Sequence, residues 1–308
     1  MTAPLPPRDI RLAAAAYPVE ALSSWDMLAA KLADWVDAAA AEGAEIAVLP
    51  EYAGMEAAFA LHDRPMTADN AAWCAASAES AGRYAALCAT LAQTRSLILL
   101  GGSLPARVGR GAGAAFVNRA HLCLPDGRVL SVDKQILTPW ERTDMPLQPG
   151  PSLPVVETAA GRLAALICYD GEFPPLARAA APDILLLPSW TEARAGCARL
   201  EVAARARALE AQCVTLHAPL IGGVPGGDIA DAATGRAGIY GPPDEGFPED
   251  GVLARGDHDT PGWVVATLPE GALSRTRSAG AVAPRAHMGE AAERAALVRD
   301  AATPPERP

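Results

Sequence analysis

Residues 162–178 read RLAALICYDGEFPPLAR, and this stretch decides how the rest of the chain is arranged. Residues 163–167 form a short apolar run led in by Ala160 and Gly161, the pattern of a buried strand rather than of a full helix. The run stops at Cys168. Tyr169, Asp170, Gly171 and Glu172 then make a polar elbow, and Pro174 and Pro175 stand where the first turn of a helix tolerates a missing amide hydrogen. A thiol is therefore expected at a strand-to-helix bend. Backbone N–H groups point outward at such a bend, and the positive end of a helix favours an anion formed beside it. The place suits a nucleophile.

Outward from this stretch, strands and helices alternate in both directions. Residues 10–16 read as a first strand, Ser23 as the cap of a helix with an apolar face of Leu28, Leu32, Trp35, Val36 and Ala39, and Gly43 as its stop. Residues 46–50, IAVLP, are a second buried strand that delivers Glu51 at its C-terminal tip. A helix is expected over 68–95 and a strand over 97–100. Gly101, Gly102, Gly109, Gly111 and Gly113 lack the spacing of a dinucleotide fingerprint, and a strand-like AFVNRAHLCL follows where a helix would be required, so they read as a flexible loop. Pro125-Asp126-Gly127 marks a hairpin between residues 121–124 and 129–132, and the returning strand ends in Asp133 and Lys134. Trp140, Glu141 and Arg142 fall in a loop. Beyond the elbow come a short helix over 176–181, a strand over 184–187, and a helix over 196–212 with Glu201 and Arg205 spaced for an i,i+4 pair. Strands at 213–217, near 238–240 and at 263–268 are separated by a long loop over 242–260, and a helix with a Pro-rich tail is expected from Glu290 onward.

The chain has 308 residues, half of them hydrophobic, which is enough for one large core. It reads as a single domain over 1–308, with its core at about 10–270 and a terminal helix and tail at about 271–308. A formal net charge of -10 without a basic run argues against nucleic acid or an anionic membrane as a partner. Six cysteines without paired spacing point to reduced thiols. With no apparent leader and no apolar run approaching about twenty residues, the expected location is cytoplasmic. His62, His121, His258 and His287 show no metal-ligand spacing, and neither a metal nor another cofactor is expected.

Glu51, Lys134 and Cys168 each end a predicted strand, and in an α/β sheet such ends converge on one rim. A free cysteine is mostly protonated at neutral pH and needs a base, which a carboxylate of raised pKa can supply. An ammonium beside both is expected to favour the thiolate and then to stabilise an oxyanion. No histidine is required.

These residues resemble the nitrilase superfamily of carbon-nitrogen hydrolases. The likeness is carried by Leu49-Pro50-Glu51-Tyr52, by Asp133-Lys134 with Glu141 downstream, and by Ile167-Cys168-Tyr169-Asp170 with Phe173-Pro174. Leu187-Pro188-Ser189-Trp190 and Arg205-Ala206-Arg207-Ala208-Leu209-Glu210 extend it, so that it covers roughly residues 10 to 270. The resemblance implies a four-layer α-β-β-α sandwich that pairs into a homodimer or higher homo-oligomer through its Cys-bearing side. It also implies Glu51 as general base, Lys134 as oxyanion stabiliser and Cys168 as the acylated nucleophile, with Glu141 orienting Lys134 or the attacking water. Tyr169 and Trp190 become pocket-wall candidates by the same carry-over.

The chain departs from the family's pattern at Ala16-Tyr17, where a glutamine is frequent, and at His217-Ala218-Pro219, where many members carry an asparagine; His217 is thereby a candidate substrate-binding residue. Cys168-Tyr169-Asp170 is closer to the amidase branches than to the true nitrilases, in which Trp-Glu commonly follows the cysteine. Hydrolysis of a small amide is the first expectation. A nitrile substrate, an N-carbamoyl substrate or acyl transfer to an amine are alternatives within the superfamily, and a noncatalytic interaction protein is the alternative outside it. Loops at 55–65, 140–149 and 222–228 are expected to shape the pocket, with Arg142 or Arg194 available to a substrate carboxylate.

Overall fold

The computed structural model describes residues 8–61, 69–109, 115–224 and 231–298. Its first strand, β1 (Ile10–Val19), is buried along nearly its whole length, because both of its faces are covered. Leu12, Ala14 and Ala16 point into one apolar core and Ala13, Ala15 and Tyr17 into another, the alternation a strand imposes. β1 pairs in parallel with β2 (Ile46–Leu49) along one edge and antiparallel with β12 (Gly262–Leu268) along the other. Its last three residues, Tyr17, Pro18 and Val19, pair instead with Leu220, Ile221 and Gly222 of β9 (Val214–Gly222).

That change of partner makes β1 the seam between two half-sheets. One continues from β2 through β3 (Ile98–Val108) and β4 (Ala115–Cys123) to β5 (Val129–Asp133). The other runs from β9 through β8 (Ile184–Ser189) and β7 (Gly161–Ala165) to β6 (Val155–Thr158), with β10 (Gly238–Tyr240) and β11 (Val252–Arg255) on the far side of β9. Leu12, Val48, Leu100 and Leu122 of the first half share a core with Leu163, Ile184, Leu186 and Ile239 of the second. Helices α1 (Trp25–Ala41) and α3 (Asn70–Thr94) place Leu28, Leu32, Val36, Tyr84 and Cys88 against the outer face of the first half. Helix α6 (Arg194–Ala211) places Leu200, Ala204 and Ala208 against the second. The result is the expected helix–sheet–sheet–helix sandwich.

Local chemistry moves several boundaries. Ser24, not Ser23, caps α1: its extended backbone lets Oγ accept from the Met27 amide at 3.2 Å. Trp35 is only half-buried and packs edgewise between Tyr17 and Trp263. Gly101 and Gly102 are not a loop, since β3 runs through them with a bulge against β4. Gly102 has φ +80°, and a Cβ there would lie 2.7 Å from the Pro50 carbonyl oxygen, so the bulge needs a residue without one. Gly109 follows the strand at positive φ, while Gly111 and Gly113 lie outside the described residues.

Glu141 lies in a helix rather than a loop, α4 (Pro139–Asp144). Part of the expected loop at 55–65 is α2 (Glu56–Leu61), and His62 is outside the described residues. Most of the 222–228 loop is outside them too. The short helix after the elbow is α5 (Pro174–Ala180), and α7 (Ala272–Ala279) was not anticipated. Helix α8 spans Pro284–Ala295, starting before Glu290 because a proline is tolerated in a first turn. The Glu201–Arg205 pair does not form. Arg236 and Arg255 reach Glu201 at 2.6 and 3.0 Å from either end of the β10–β11 hairpin, and Arg205 donates to the Asp250 carbonyl.

Among the described residues, no helix is long and apolar enough to cross a membrane, and no three His, Cys, Asp or Glu side chains are grouped to hold a metal ion. All six cysteines are buried and free of disulfides.

Candidate active site

Three chain segments bring Glu51, Lys134 and Cys168 together. Beyond β2 the chain turns at Tyr52, whose φ is +60°, and a 3-10 turn over Ala53–Met55 follows. The β3 bulge holds this turn. Ser103 Oγ accepts from the Tyr52 amide at 2.9 Å, and the Ser103 amide donates to the Pro50 carbonyl at 3.3 Å. Lys134 follows β5, where its amide donates to the Asn118 carbonyl at 2.9 Å. Cys168 opens a 3-10 turn over Cys168–Glu172 with φ +51°, a conformation that aims its side chain out of the line of β7.

Asp170 clasps two of these segments together. Its buried carboxylate accepts from the amides of Gln135 and Ile136 at 3.1 and 2.7 Å, just past Lys134, and from that of Ile167 at 3.3 Å, just before Cys168. Burial nevertheless outweighs these donors and pushes the Asp170 carboxyl up to about 6. The turn is braced from below by Arg207, which donates to the Gly171 carbonyl at 2.8 Å and pairs with Glu210.

Lys134 Nζ lies 2.8 Å from Glu51 Oε1 and 2.8 Å from Glu141, with all three side chains buried. Thr138 and Glu141 form the reciprocal capping box of α4, which fixes the Glu141 carboxylate, and Tyr52 OH donates to that carboxylate at 3.1 Å. Asn118 Nδ2 donates to Glu51 Oε1 at 2.9 Å. The Trp190 peptide touches both Glu51 and Cys168. Its N–H donates to Glu51 Oε2 at 3.0 Å, and its carbonyl accepts from Cys168 Sγ at 3.4 Å.

The electrostatics follow from one ammonium serving two carboxylates. Burial raises the Glu51 pKa and Glu141 adds to the rise, against the pull of Lys134. Burial pushes Glu141 the same way, but Lys134, the Thr138 amide and Tyr52 outweigh it and leave Glu141 lowered. Burial disfavours the Lys134 charge, yet the two carboxylates raise its pKa above the ordinary value. For Cys168, burial and then the Glu51 charge push the thiol well above its usual range, and Lys134 only partly opposes them. Lys134 favours the thiolate, as expected, but burial and the Glu51 charge outweigh it, so the Cys168 thiol is raised on balance.

A cavity of about 410 Å³ opens onto Glu51, Lys134, Glu141 and Cys168. Tyr169 and Trp190 line it, together with Trp140, Glu172 and Arg199. His217 does not. It is fully buried on β9, bonded through Nε2 to Ser189 Oγ at 2.8 Å, and burial lowers its pKa to about 4. Its proposed substrate contact is corrected on that ground, since a side chain on that strand face is covered by protein. Arg142 donates to the Leu137 carbonyl and Arg194 pairs with Asp259, and neither lines the cavity. Asn118, Tyr52 and Asp170 were missed. The Thr138-Pro-Trp-Glu141 capping signature was legible, but nothing local marks Asn118 as a partner of Glu51.

Residues 11–245 match the family described as carbon-nitrogen hydrolase. A probable hydrolase of Bacillus subtilis, YhcX, is 29% identical over 277 residues, covering 89% of this chain and 52% of that protein. The chain thus spans about half the length of that curated relative. Human deaminated glutathione amidase is 36% identical over a shorter stretch of 117 residues, 37% of this chain and 33% of that protein. Among solved structures, Saccharomyces cerevisiae Nit3, of branch 10 of the nitrilase superfamily, superposes with a TM-score of 0.68 at 18% identity, covering 91% of this chain and 97% of that one. The NitN amidase of Nesterenkonia superposes at 0.61 with 24% identity, covering 88% and 97%. Both are likenesses of fold.

Proposed function

The chain belongs to the carbon-nitrogen hydrolase family, and from that premise we propose that it hydrolyses the C–N bond of a small amide through a thioester on Cys168. The observation that carries this reading is the Trp190 peptide, which sets Glu51 and the Cys168 sulfur side by side, with Lys134 bonded to the same carboxylate. Glu51 takes the Sγ proton as sulfur attacks the carbonyl carbon. Lys134 and the Tyr169 N–H, at the opening of the 3-10 turn, meet the oxyanion. As that tetrahedral species collapses, the C–N bond breaks and Glu51 returns the proton to the departing ammonia or amine. A water then gives its proton to Glu51 and attacks the thioester, and the acid leaves with Cys168 reprotonated.

Glu141 keeps Lys134 charged and aimed through the whole cycle. A thiol raised by burial suits this sequence, since proton transfer and carbon–sulfur bond formation then proceed together. The relatives named as amidases favour an amide over a nitrile. Six free thiols fit a reducing, cytoplasmic setting. The exposed Val202 and Leu209 of α6 fit pairing of two copies across the Cys-bearing side.

The test is incubation with a panel of amides, carbamoyl compounds and nitriles, scoring ammonia release and intact-mass adducts on the protein. Turnover of an amide that disappears in folded Cys168→Ala is the expected result. Full activity in that variant rejects the nucleophile, and turnover confined to nitriles rejects the substrate class.

A further inference from the structure

The Trp190 peptide governs the spacing of base and nucleophile, yet the main-chain ladder of β8 ends one residue earlier, at Ser189. Thr191, just beyond, exchanges bonds with Thr234 at 2.9 Å, and on the β8 side the chain carries a side-chain bond, Ser189 Oγ to His217 Nε2, 2.8 Å long and fully buried. In the β8–β9 register His217 lies opposite Leu187 and Ser189 opposite Pro219, so the bond runs diagonally across the ladder. It adds a tie between two strands at the position where one of them leaves the sheet. Pro219 has no amide hydrogen to offer there, which makes the side-chain tie the more valuable.

We propose that Ser189 and His217 form a positioning pair for the reaction, holding the Trp190 peptide so that its N–H and carbonyl meet Glu51 and Cys168 at the same time. This rests on the proposed function for its chemistry, but the pair touches no substrate. Three further observations support it. His217 Nδ1 has no partner among the described residues, so the ring is retained in the interior at a cost, and the bond to Ser189 is the one it makes. Trp190 is itself anchored at its far end, where indole Nε1 donates to the Ala232 carbonyl at 3.0 Å, so the peptide has a fixed point on each side. Glu51 Oε2 accepts from the Trp190 amide, so a small shift of that peptide moves the carboxylate relative to the Cys168 sulfur. A displacement of that kind, well away from the bond being broken, is enough to cost a large factor in rate.

The experiment compares wild type with Ser189→Ala, Ser189→Thr and His217→Phe, measuring kcat, KM and the alkylation rate of Cys168 by iodoacetamide, with all activities normalised to sites titrated by an acylating probe. Ser189→Ala removes a single oxygen and carries the test where a His217 variant fails to fold. The expected result is a fall of about tenfold in kcat with KM little changed. Cys168 alkylation slows in parallel, Ser189→Thr recovers most of both, and Ser189→Ala/His217→Phe is no worse than His217→Phe alone. Unchanged kcat and alkylation in folded Ser189→Ala overturn the proposal, as does a loss that vanishes on normalising to titrated sites. Because alkylation needs no substrate, it tests the pair even if wild type cleaves no amide, an outcome that would remove the proposed function alone.

Discussion

Glu51 shows how little of its chemistry belongs to the side chain alone. It is an ordinary carboxylate until burial, Asn118, Lys134 and the Trp190 amide surround it, and their balance leaves its pKa raised. The sign of the consequence is definite. In the proposed mechanism Glu51 must be ionised to accept the Cys168 proton, so kcat/KM is expected to fall as pH drops through a value above the ordinary glutamate pKa of about 4.3. A pH–rate profile on the best amide checks this, and an acid limb at the ordinary value would refute it. Glu51→Gln is expected to lower kcat by about 10³ or more and to remove that limb. The need for an acid, an ammonium and a thiol was legible in the sequence. The rise of the Cys168 thiol was not, because it depends on burial and on the charges within a few ångströms.

At the scale of elements, strand ends were well anticipated where an apolar run stops against a polar residue or a proline, as at Glu51 and Lys134, whereas β7 stops at Ala165, short of the expected Ile167. Elements were misplaced where a tertiary contact overrides the local signal. Two glycines read as a loop at 101–102 because glycine weakens strands, yet here they permit the bulge that seats Ser103 under the Glu51 turn. Gly102→Ala must both place an alanine at φ +80° and push the Pro50 carbonyl away from a Cβ 2.7 Å distant. It is expected to cost about 1–3 kcal/mol or more in stability and to lower kcat in the molecules that fold. Gly82→Ala, in α3 with nothing within 4 Å of the new Cβ, is the control and is expected to be neutral or stabilising by about 0.5–1 kcal/mol. Urea unfolding of both variants separates the two; equal destabilisation would show that the bulge is not what matters.

Over the whole molecule, the double-layered sheet buries groups that titrate normally in the unfolded chain. His217 is held neutral by burial, with its pKa near 4, the nearby Glu201 raising it slightly and Arg236 lowering it. Its folded value is depressed below the unfolded value of about 6.5, so stability is lost as pH falls between the two, up to about 3 kcal/mol from this one residue. Asp170, raised to about 6, works in the opposite sense by gaining stability as pH falls, so the total slope mixes several groups. A variant comparison isolates the histidine. The difference in unfolding free energy between wild type and His217→Gln is expected to shrink by about that amount between pH 7 and pH 4, and a pH-independent difference would mean that His217 is protonated inside the fold. By itself the sequence determined the alternation of strands and helices, the buried strands, and the placing of Glu51, Lys134 and Cys168 just beyond strands. Hydrophobic period, proline, glycine and chain direction are properties of a few neighbouring residues, so they can be read in order. Only the tertiary structure decided that Asp170 clasps the Lys134 and Cys168 segments, that the Trp190 peptide joins Glu51 to Cys168, that burial raises the thiol and that His217 is buried away from the cavity, because distance, burial and charge balance arise between residues far apart along the chain.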